Sequence, residues 1–363
     1  SWSFSCDLAC ASRAHRHMLL AVHTCGKELY QPGPDLTSAI KSYQNEFIPR
    51  LHRAVTTGTP LAVSSIDVVW IWHLHKLDPT AYVEDCKKTY DQVLQAPQGA
   101  SPFHFAMDGE EASREGSEAV NTSSETRFSV SCDIVASAQR QSVFLWQVMG
   151  SQYDDEDFLE SAVVRYAMML GLMRKHPHTF IVPTYDIDLM WHTHLAFPRD
   201  YEQDCLKVVG RPVRHDDSVN DRTTGSKLCL STANTRQLFK KAYGYDWDKD
   251  GGMYNGEPPA WYWSDRASCA QFPLPARSPA ELPGVFAGLS NRCCLTFASL
   301  SFVRTDDSIA APSMQQEPIM TAGAAFGTLP PLPPPPPPVF NTYQSSPGPV
   351  WCTRPTEGHN NPV

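Results

Sequence analysis

The feature that most constrains this chain is an internal duplication. A block that runs from Asp67 to Cys86 recurs from Asp186 to Cys205, with one constant offset of 119 residues. The identical pairs are Asp67 and Asp186, Trp72 and Trp191, His73 and His192, His75 and His194, Pro79 and Pro198, Tyr82 and Tyr201, Asp85 and Asp204, and Cys86 and Cys205. Because such self-similarity is typical of repeat architectures, we expect two copies of one folding unit.

Apolar residues near both blocks recur at intervals of three and four, which predicts helices. Asp133 is placed to cap a helix that extends through Leu145. A second helix is expected from Asp154 to Lys175, with acidic residues at its start and basic residues at its end. Residues 37–54 also favour a helix, with a kink or break at Pro49. We therefore predict a mostly α fold.

The same pattern predicts two tandem helical repeats of about four helices each, followed by a short mixed segment and a disordered proline-rich tail. The predicted boundaries are 1–95 for the first repeat, 96–126 for a linker or insertion, 127–215 for the second repeat, 216–264 for an extension and 265–363 for the tail. The chain begins with Ser1 rather than Met, so we expect a processed or shortened form of a longer protein.

Composition narrows the class of protein. The chain has 42% hydrophobic and 19% charged residues, and its net charge is -9, which disfavours a nucleic-acid-binding surface over the whole molecule. It has no apolar run of bilayer length, so no membrane span is expected. Its 11 cysteines lack C-x-x-C spacing, which favours free thiols and a cytoplasmic location.

Two histidines separated by one residue, as in His73/His75 and His192/His194, suggest a metal site if the segment is extended. The apolar spacing around Trp191 instead favours a helix, on which the two side chains of each pair diverge. His194 and His75 then lie on the inner stripe, where we expect hydrogen-bonded, buried imidazoles.

On this helix His192 shares a face with Asp188, whereas His73 stands above Val69 in the first block. If either copy carries chemistry, we therefore expect it in the second. A metal site would use the four histidines with Asp186 or Asp188, and zinc or another divalent transition metal suits such donors.

The remaining shared residues are interpreted as structural. Pro79, Tyr82 and Cys86 fall on one helix face, as do Pro198, Tyr201 and Cys205. The chain has no phosphate loop, H-E-x-x-H or G-x-S-x-G motif, so the sequence gives no positive signal for an enzyme.

A proline run near the end of the chain is the most specific partner signal. It presents the P-x-x-P register that SH3, WW and profilin-type partners bind. The candidate partner-binding residues are Pro330, Pro331, Pro333, Pro334, Pro335, Pro336, Pro337 and Pro338.

The strings from Ile181 to His194, from Trp72 to His75, from Asp216 to Thr223 and from Gly252 to Tyr254 resemble the glycine-rich domain-containing protein family of plants and fungi. The resemblance covers roughly residues 1–256. It implies roles in growth and in osmotic-stress and hormone responses, and some members have an RNA-binding segment. This chain has only 20 glycines and lacks the glycine-rich C-terminal region.

The leading hypothesis from the sequence is a non-enzymatic interaction or scaffold protein with a proline-rich tail. The alternative is a metal-binding or metal-dependent protein that uses the duplicated histidines. RNA binding is the third hypothesis.

Overall fold

The computed structural model describes residues 3–106 and 127–271. Helices dominate both stretches, which confirms the mostly α fold. In chain order the α-helices are α1 (Leu8–Thr24), α2 (Pro34–Ser42), α3 (Ile48–Thr57), α4 (Ile66–Lys76), α5 (Pro79–Tyr90), α6 (Ile134–Gln141), α7 (Phe144–Val148), α8 (Glu156–Lys175), α9 (Tyr185–Leu195), α10 (Pro198–Val208), α11 (Lys227–Tyr243) and α12 (Ala260–Ser264). None of these described helices combines the length and the apolar character that crossing a bilayer requires.

Parts of the predicted linker and tail fall within the described residues. Strand β1 (Ser64–Ser65) pairs in parallel with β2 (Phe105–Ala106), which lies in the predicted linker. Residues Arg266–Gln271, assigned to the tail by sequence, form a 3-10 helix that contacts α1 and buries Cys269. The candidate partner-binding prolines, with the rest of the linker and tail, lie outside the described residues.

Helices α4 and α9 carry the duplicated Trp-His-x-His segments, so the helical conformation predicted for both is confirmed. Helix α5 begins at Pro79. Proline lacks a backbone N–H, but the N–H of a first helical residue has no acceptor within the helix, so no hydrogen bond is lost. The side chain of Asp78 accepts a hydrogen bond from the Ala81 N–H. Helix α10 begins at Pro198 without a side-chain cap, because Phe197 stands at the position that Asp78 occupies before α5.

The break expected at Pro49 takes the form of one π-helical turn, Tyr43–Phe47, between α2 and α3. Proline lacks an N–H, and in a regular α-helix its ring clashes with the carbonyl four residues earlier. A π turn widens the helix at that point and relieves the clash. The chain therefore stays helical through Pro49.

Two further helix boundaries differ from the prediction. The helix expected from Asp133 to Leu145 is two helices, α6 and α7, and at their junction the Ser142 hydroxyl donates to the Gln139 carbonyl oxygen at 2.7 Å. The sequence also predicts a short helix near Thr235 to Tyr243, and in the structure this helix, α11, begins earlier, at Lys227. The reason is Ser226, whose side chain accepts a hydrogen bond from a backbone N–H of the first turn.

The two predicted repeats are tied to each other near their first residues. A Ser-Cys-Asp tripeptide precedes both α1 and α6, starting at Ser5 and at Ser131. The backbone N–H of Ser5 donates to Asp204 at 2.7 Å, and the N–H of Ser131 donates to Asp85 at 2.7 Å. The segment before the first helix of each predicted repeat is thus held by an aspartate of the other repeat.

The buried apolar side chains of both blocks form one cluster. Helix α1 contributes to this arrangement because it contacts α4 of the first block and both α8 and α9 of the second. Five helices, α1 to α5, precede residue 95, and five more, α6 to α10, lie between residues 127 and 215. The repeat boundaries stay predictions.

A repeated three-member hydrogen-bond chain fixes the segment that follows each block. In the first block the Trp72 Nε1–H donates to the Tyr82 hydroxyl at 2.9 Å, and that hydroxyl donates to the Leu94 carbonyl oxygen at 3.0 Å. In the second block the equivalent distances are 3.0 Å from Trp191 to Tyr201 and 2.9 Å from Tyr201 to Val213. We call each of these chains a Trp–Tyr brace.

Replacing Tyr82 or Tyr201 with Phe should lower the free energy of unfolding by about 1–3 kcal/mol, since each change leaves an indole N–H and a carbonyl oxygen buried without a partner. Urea unfolding followed by circular dichroism measures this loss. The control is Tyr245→Phe, because Tyr245 is 68% exposed and should show almost no change. Equal stability of all three variants would contradict a structural role for the braces.

Candidate metal centre

Helix α9 places two of the predicted ligands on one face. Asp188 and His192 are four residues apart, so their side chains lie one above the other. Asp188 Oδ1 is 3.4 Å from His192 Nε2. The Asp188 side chain is 19% exposed and that of His192 is 1% exposed, so solvent reaches the pair from the Asp188 side.

A third donor, His215, comes from the irregular segment after α10. Its Nε2 atom lies 2.9 Å from His192 Nε2. Its Nδ1 atom lies 2.9 Å from the carbonyl oxygen of Leu77, at the end of α4 in the first block. Because a carbonyl only accepts, Nδ1 carries the proton and Nε2 directs its lone pair at His192. This tautomer suits a metal ligand.

Asp188, His192 and His215 form a compact donor set. One ligand atom from each lies within 4.8 Å of the others, and the part of the chain that the structure describes contains no second group of this kind. If both nitrogens bound one ion at about 2.1 Å, their separation would correspond to an angle of about 90° at that ion. Three protein donors would leave at least one coordination position open.

The surroundings set the charge of these groups. Burial, with a smaller effect from the Asp217 carboxylate, raises the pKa of Asp188 to about 8, against the opposing effect of Arg222. Burial and the His215 and His15 imidazoles hold the pKa of His192 well below its usual value. Burial also lowers the pKa of His215. Both histidines are thus neutral at pH 7, which is the form that binds metal.

His73, the counterpart of His192, lies in a buried row of imidazoles but outside the donor set. Its ring centroid is 4.6 Å from that of His15 and 6.5 Å from that of His192. Both of its ring nitrogens are buried without a hydrogen-bond partner among the described residues. His15 Nδ1 lies 3.0 Å from the Thr193 hydroxyl, whose own proton goes to the Leu189 carbonyl oxygen.

His75 and His194 belong to a different, structural network. His75 Nε2 lies 3.1 Å from Asp85 and its Nδ1 accepts a hydrogen bond from the Tyr43 hydroxyl at 2.9 Å. In the second block the Tyr166 hydroxyl donates to His194 Nδ1 at 3.1 Å. His194 Nε2 approaches Asp204 only to 3.4 Å, which is long for a hydrogen bond. The structure therefore places one histidine of each pair against an aspartate.

The remaining predicted residues lie outside the donor set and form ion pairs or pack in the core. Asp186 forms an ion pair with Arg165 at 2.8 Å, and its equivalent Asp67 pairs with Lys27 at 3.0 Å. Neither carboxylate belongs to the donor set. Cys86 and Cys205 are buried, free thiols, and burial raises the pKa of Cys86 to about 11. Both side chains lie in the buried apolar cluster.

His215, the third candidate ligand, is not predicted from the sequence. Its position corresponds to Ala96 in the first block, so it is absent from the shared pattern. No sequence signal points to His215, because the hydrogen bond from Tyr201 to Val213 that places its segment is visible only in the structure.

Comparisons with known proteins agree with the resemblance seen in the sequence. Residues 86–204 match the sequence model of the family described as glycine-rich domain-containing protein-like. The chain is 31% identical over 287 residues to glycine-rich domain-containing protein 1 of Arabidopsis thaliana, a match that covers 70% of this chain and 34% of that protein. It is also 31% identical over 278 residues to glycine-rich domain-containing protein 2 of the same plant, covering 70% of this chain and 35% of that protein.

The chain therefore belongs to the glycine-rich domain-containing protein family. It spans about a third of the length of these curated relatives. No solved structure matches it.

The row of buried neutral histidines predicts acid sensitivity. Burial, with a smaller effect from Lys76, lowers the pKa of His15 to about 3, whereas a histidine in an unfolded chain titrates near about 6.5. The unfolded chain then takes up protons first, so stability is fully present above about pH 6.5 and is lost as the pH falls.

We expect the free energy of unfolding, measured with urea in chelator-treated buffer, to fall between pH 6.5 and 4.5. His15→Gln should reduce this fall by about 2 kcal/mol, since it removes one titrating imidazole while keeping an amide donor near Thr193. His178→Gln is the control, because His178 is exposed. A pH profile identical for wild type and His15→Gln would contradict the assignment.

Proposed function

We propose that this domain binds one divalent transition metal ion, with zinc as the best-suited ion, through Asp188, His192 and His215. The observation that carries the proposal is the convergence of the three donor atoms within 4.8 Å of one another. Two imidazole nitrogens and one carboxylate oxygen are a donor set that zinc accepts in proteins.

The local electrostatics support the same function. A carboxyl group whose pKa is raised to about 8 is destabilised as an anion, and a nearby divalent cation removes that penalty. The Leu77 carbonyl oxygen holds His215 in the tautomer that a metal needs, as outer-shell partners of zinc-binding histidines commonly do.

The first block supports a single site within the described residues. Its residues at the positions of Asp188, His192 and His215 are Val69, His73 and Ala96. Only one of the three donors is kept. The duplicated block therefore provides two similar frames, of which the second carries the donors.

A hydrogen bond from His192 to His215 would produce the same 2.9 Å separation without an ion. Affinity is therefore the decisive measurement. We expect purified protein, dialysed against zinc and then against metal-free buffer, to retain one zinc per chain by elemental analysis. His215→Ala should weaken zinc affinity by at least about 100-fold, more than the loss of an outer-shell partner typically does.

The structure offers two matched controls for this experiment. His178→Ala removes an exposed imidazole and should leave zinc content unchanged. Tyr201→Phe loosens the segment that carries His215, whereas Tyr82→Phe makes the same change in the block without donors. Only Tyr201→Phe should weaken zinc binding. Zinc-free wild-type protein, or equal affinity of wild type and His215→Ala, would overturn the proposal.

The family assignment and the proline run support a second proposal, an interaction or scaffold role in growth or stress responses. Polyproline sequence is recognised by the aromatic grooves of SH3, WW and profilin-type proteins. The run from Pro333 to Pro338 and the preceding Leu-Pro-Pro-Leu provide that register.

Deleting residues 329–338 should abolish binding of purified profilin, or of an SH3 or WW domain panel, measured by fluorescence anisotropy. The matched control deletes residues 310–319, an equally long part of the same region. Binding that survives the first deletion would identify the proline run as a spacer.

A further inference from the structure

A cavity of about 160 Å³ lies where the junction of α4 and α5, helix α6 and the segment after Val213 meet. Its wall contains four carboxylates, those of Asp78, Asp133, Asp216 and Asp217. Leu74 and Leu77 provide an apolar side, and His215 also lines the cavity. The cavity therefore combines negative charge with an apolar surface.

One arginine offsets part of this negative charge. Arg140 Nε donates to Asp217 Oδ1 at 2.8 Å. The described residues provide no lysine or arginine ion pair for the other three carboxylates, those of Asp78, Asp133 and Asp216. Four carboxylates and one guanidinium leave a surplus of three negative charges on the wall. A cationic ligand suits such a wall.

The three carboxylates without an ion pair are held by backbone N–H groups. The Oδ1 atoms of Asp78 and Asp133 cap α5 and α6 and accept these hydrogen bonds at 3.0 and 2.9 Å. Asp216 Oδ1 accepts the backbone N–H of Ser218 at 3.0 Å. Because a carboxylate has two acceptor oxygens, each of these residues keeps Oδ2 for a ligand.

The spacing of the carboxylates argues against one compact metal ion in this cavity. Three ligand atoms that share an ion lie close together, and in the described part of the chain only Asp188, His192 and His215 bring three such atoms within 4.8 Å of one another. A single ion in the cavity would therefore contact at most two of the carboxylates directly. A cation with two separated charges reaches more of them.

An unpaired acceptor beside the wall is a second, independent sign of a ligand. The Gln141 side chain is buried, at 5% exposure, and its Nε2 donates to Asp217 Oδ2 at 2.9 Å. Its Oε1 atom is buried without a hydrogen-bond partner among the described residues. Such an acceptor is unfavourable unless a donor reaches it. An ammonium group bound beside Asp217 provides that donor.

Two of the carboxylates act together at Cys132, which also lines the cavity. Burial, followed by the charges of Asp78, Asp85 and Asp133, raises the pKa of Cys132 to about 12. The thiol is therefore neutral at pH 7 and offsets none of the surplus charge. Asp78 and Asp133 thus form one anionic group of the wall, and Asp216 and Asp217 are adjacent in the chain and form another.

We propose that this cavity binds a short aliphatic diamine in its doubly protonated form. One ammonium group binds between Asp78 and Asp133, and the other binds Asp216 and the Gln141 carboxamide oxygen. The methylene chain lies against the two leucines. A cavity of about 150 Å³ holds benzene, which has six non-hydrogen atoms, and 1,4-diaminobutane has the same number. This inference does not depend on the proposed metal site.

Isothermal titration calorimetry of the full chain tests the inference, in low-salt buffer that has passed over a chelating resin. The titrants are 1,4-diaminobutane, 1,5-diaminopentane and 1-aminobutane. We expect at least one diamine to bind with one molecule per chain and about tenfold more tightly than 1-aminobutane, since it gains a second charge-assisted hydrogen bond. Added salt should weaken diamine binding more than 1-aminobutane binding.

Asp133→Asn and Asp216→Asn should each remove this advantage of the diamine. Asparagine also caps helices well, so α6 should keep its cap in Asp133→Asn. Asp155→Asn is the matched control, because Asp155 is exposed and caps α8 by accepting the Phe158 N–H at 2.8 Å. It does not line the cavity, so this variant should bind diamines as wild type does.

The inference is overturned if wild-type protein binds neither diamine, or binds 1-aminobutane as tightly as both diamines. Unchanged diamine affinity in both Asp133→Asn and Asp216→Asn has the same consequence. An equal loss in Asp155→Asn would reveal a general charge effect and would also overturn it. Because the titrations use metal-free protein, none of these results bears on zinc binding, and failure of the metal proposal leaves this inference standing.

Discussion

The Trp–Tyr brace is the interaction on which the arrangement of this domain depends. Each brace joins the helix that carries the histidines to the helix after it, and then to the backbone of the segment that follows. Both phenolic hydroxyls are buried, so each must donate and accept within the protein. Because one hydroxyl satisfies an indole and a carbonyl together, the position of the following segment is fixed by the helix pair. In the second block that segment brings His215 to His192.

Two aspartates connect the two predicted repeats by hydrogen bonds. Asp85 and Asp204 each accept the backbone N–H of a serine that opens the other block. The same two carboxylates face His75 and His194, whose other ring nitrogens are held by tyrosines. A bond of this kind crosses between blocks, so neither block has all of its buried polar groups satisfied alone. One apolar core is the expected consequence of such an exchange.

Local patterns allowed much of this to be predicted. The spacing around Trp72 and Trp191 identified two helices, and helical periodicity placed His192 beside Asp188. The exchange between Ser5 and Asp204 could not be predicted, because helix periodicity carries no information on which helices pack together. His215 was missed for a similar reason. It lies in an irregular segment without a period, and a long-range hydrogen bond at Val213 determines where it lies.

The residues that the two copies share differ in kind from the candidate metal donors, which only the second copy has. Trp, Tyr, the inner His and the closing Asp are identical in both copies, and they make corresponding contacts. The positions of Asp188 and His215 are free to differ, and in the first copy they are Val69 and Ala96. Val69 and Ala96 are only 2% and 9% exposed, so the first copy fills these positions with buried apolar side chains. Removing the Asp188 carboxylate and the His215 imidazole from water costs free energy that apolar packing does not offset. A bound cation would offset that cost in the second copy, which is the physical reason for proposing that the three donors bind an ion.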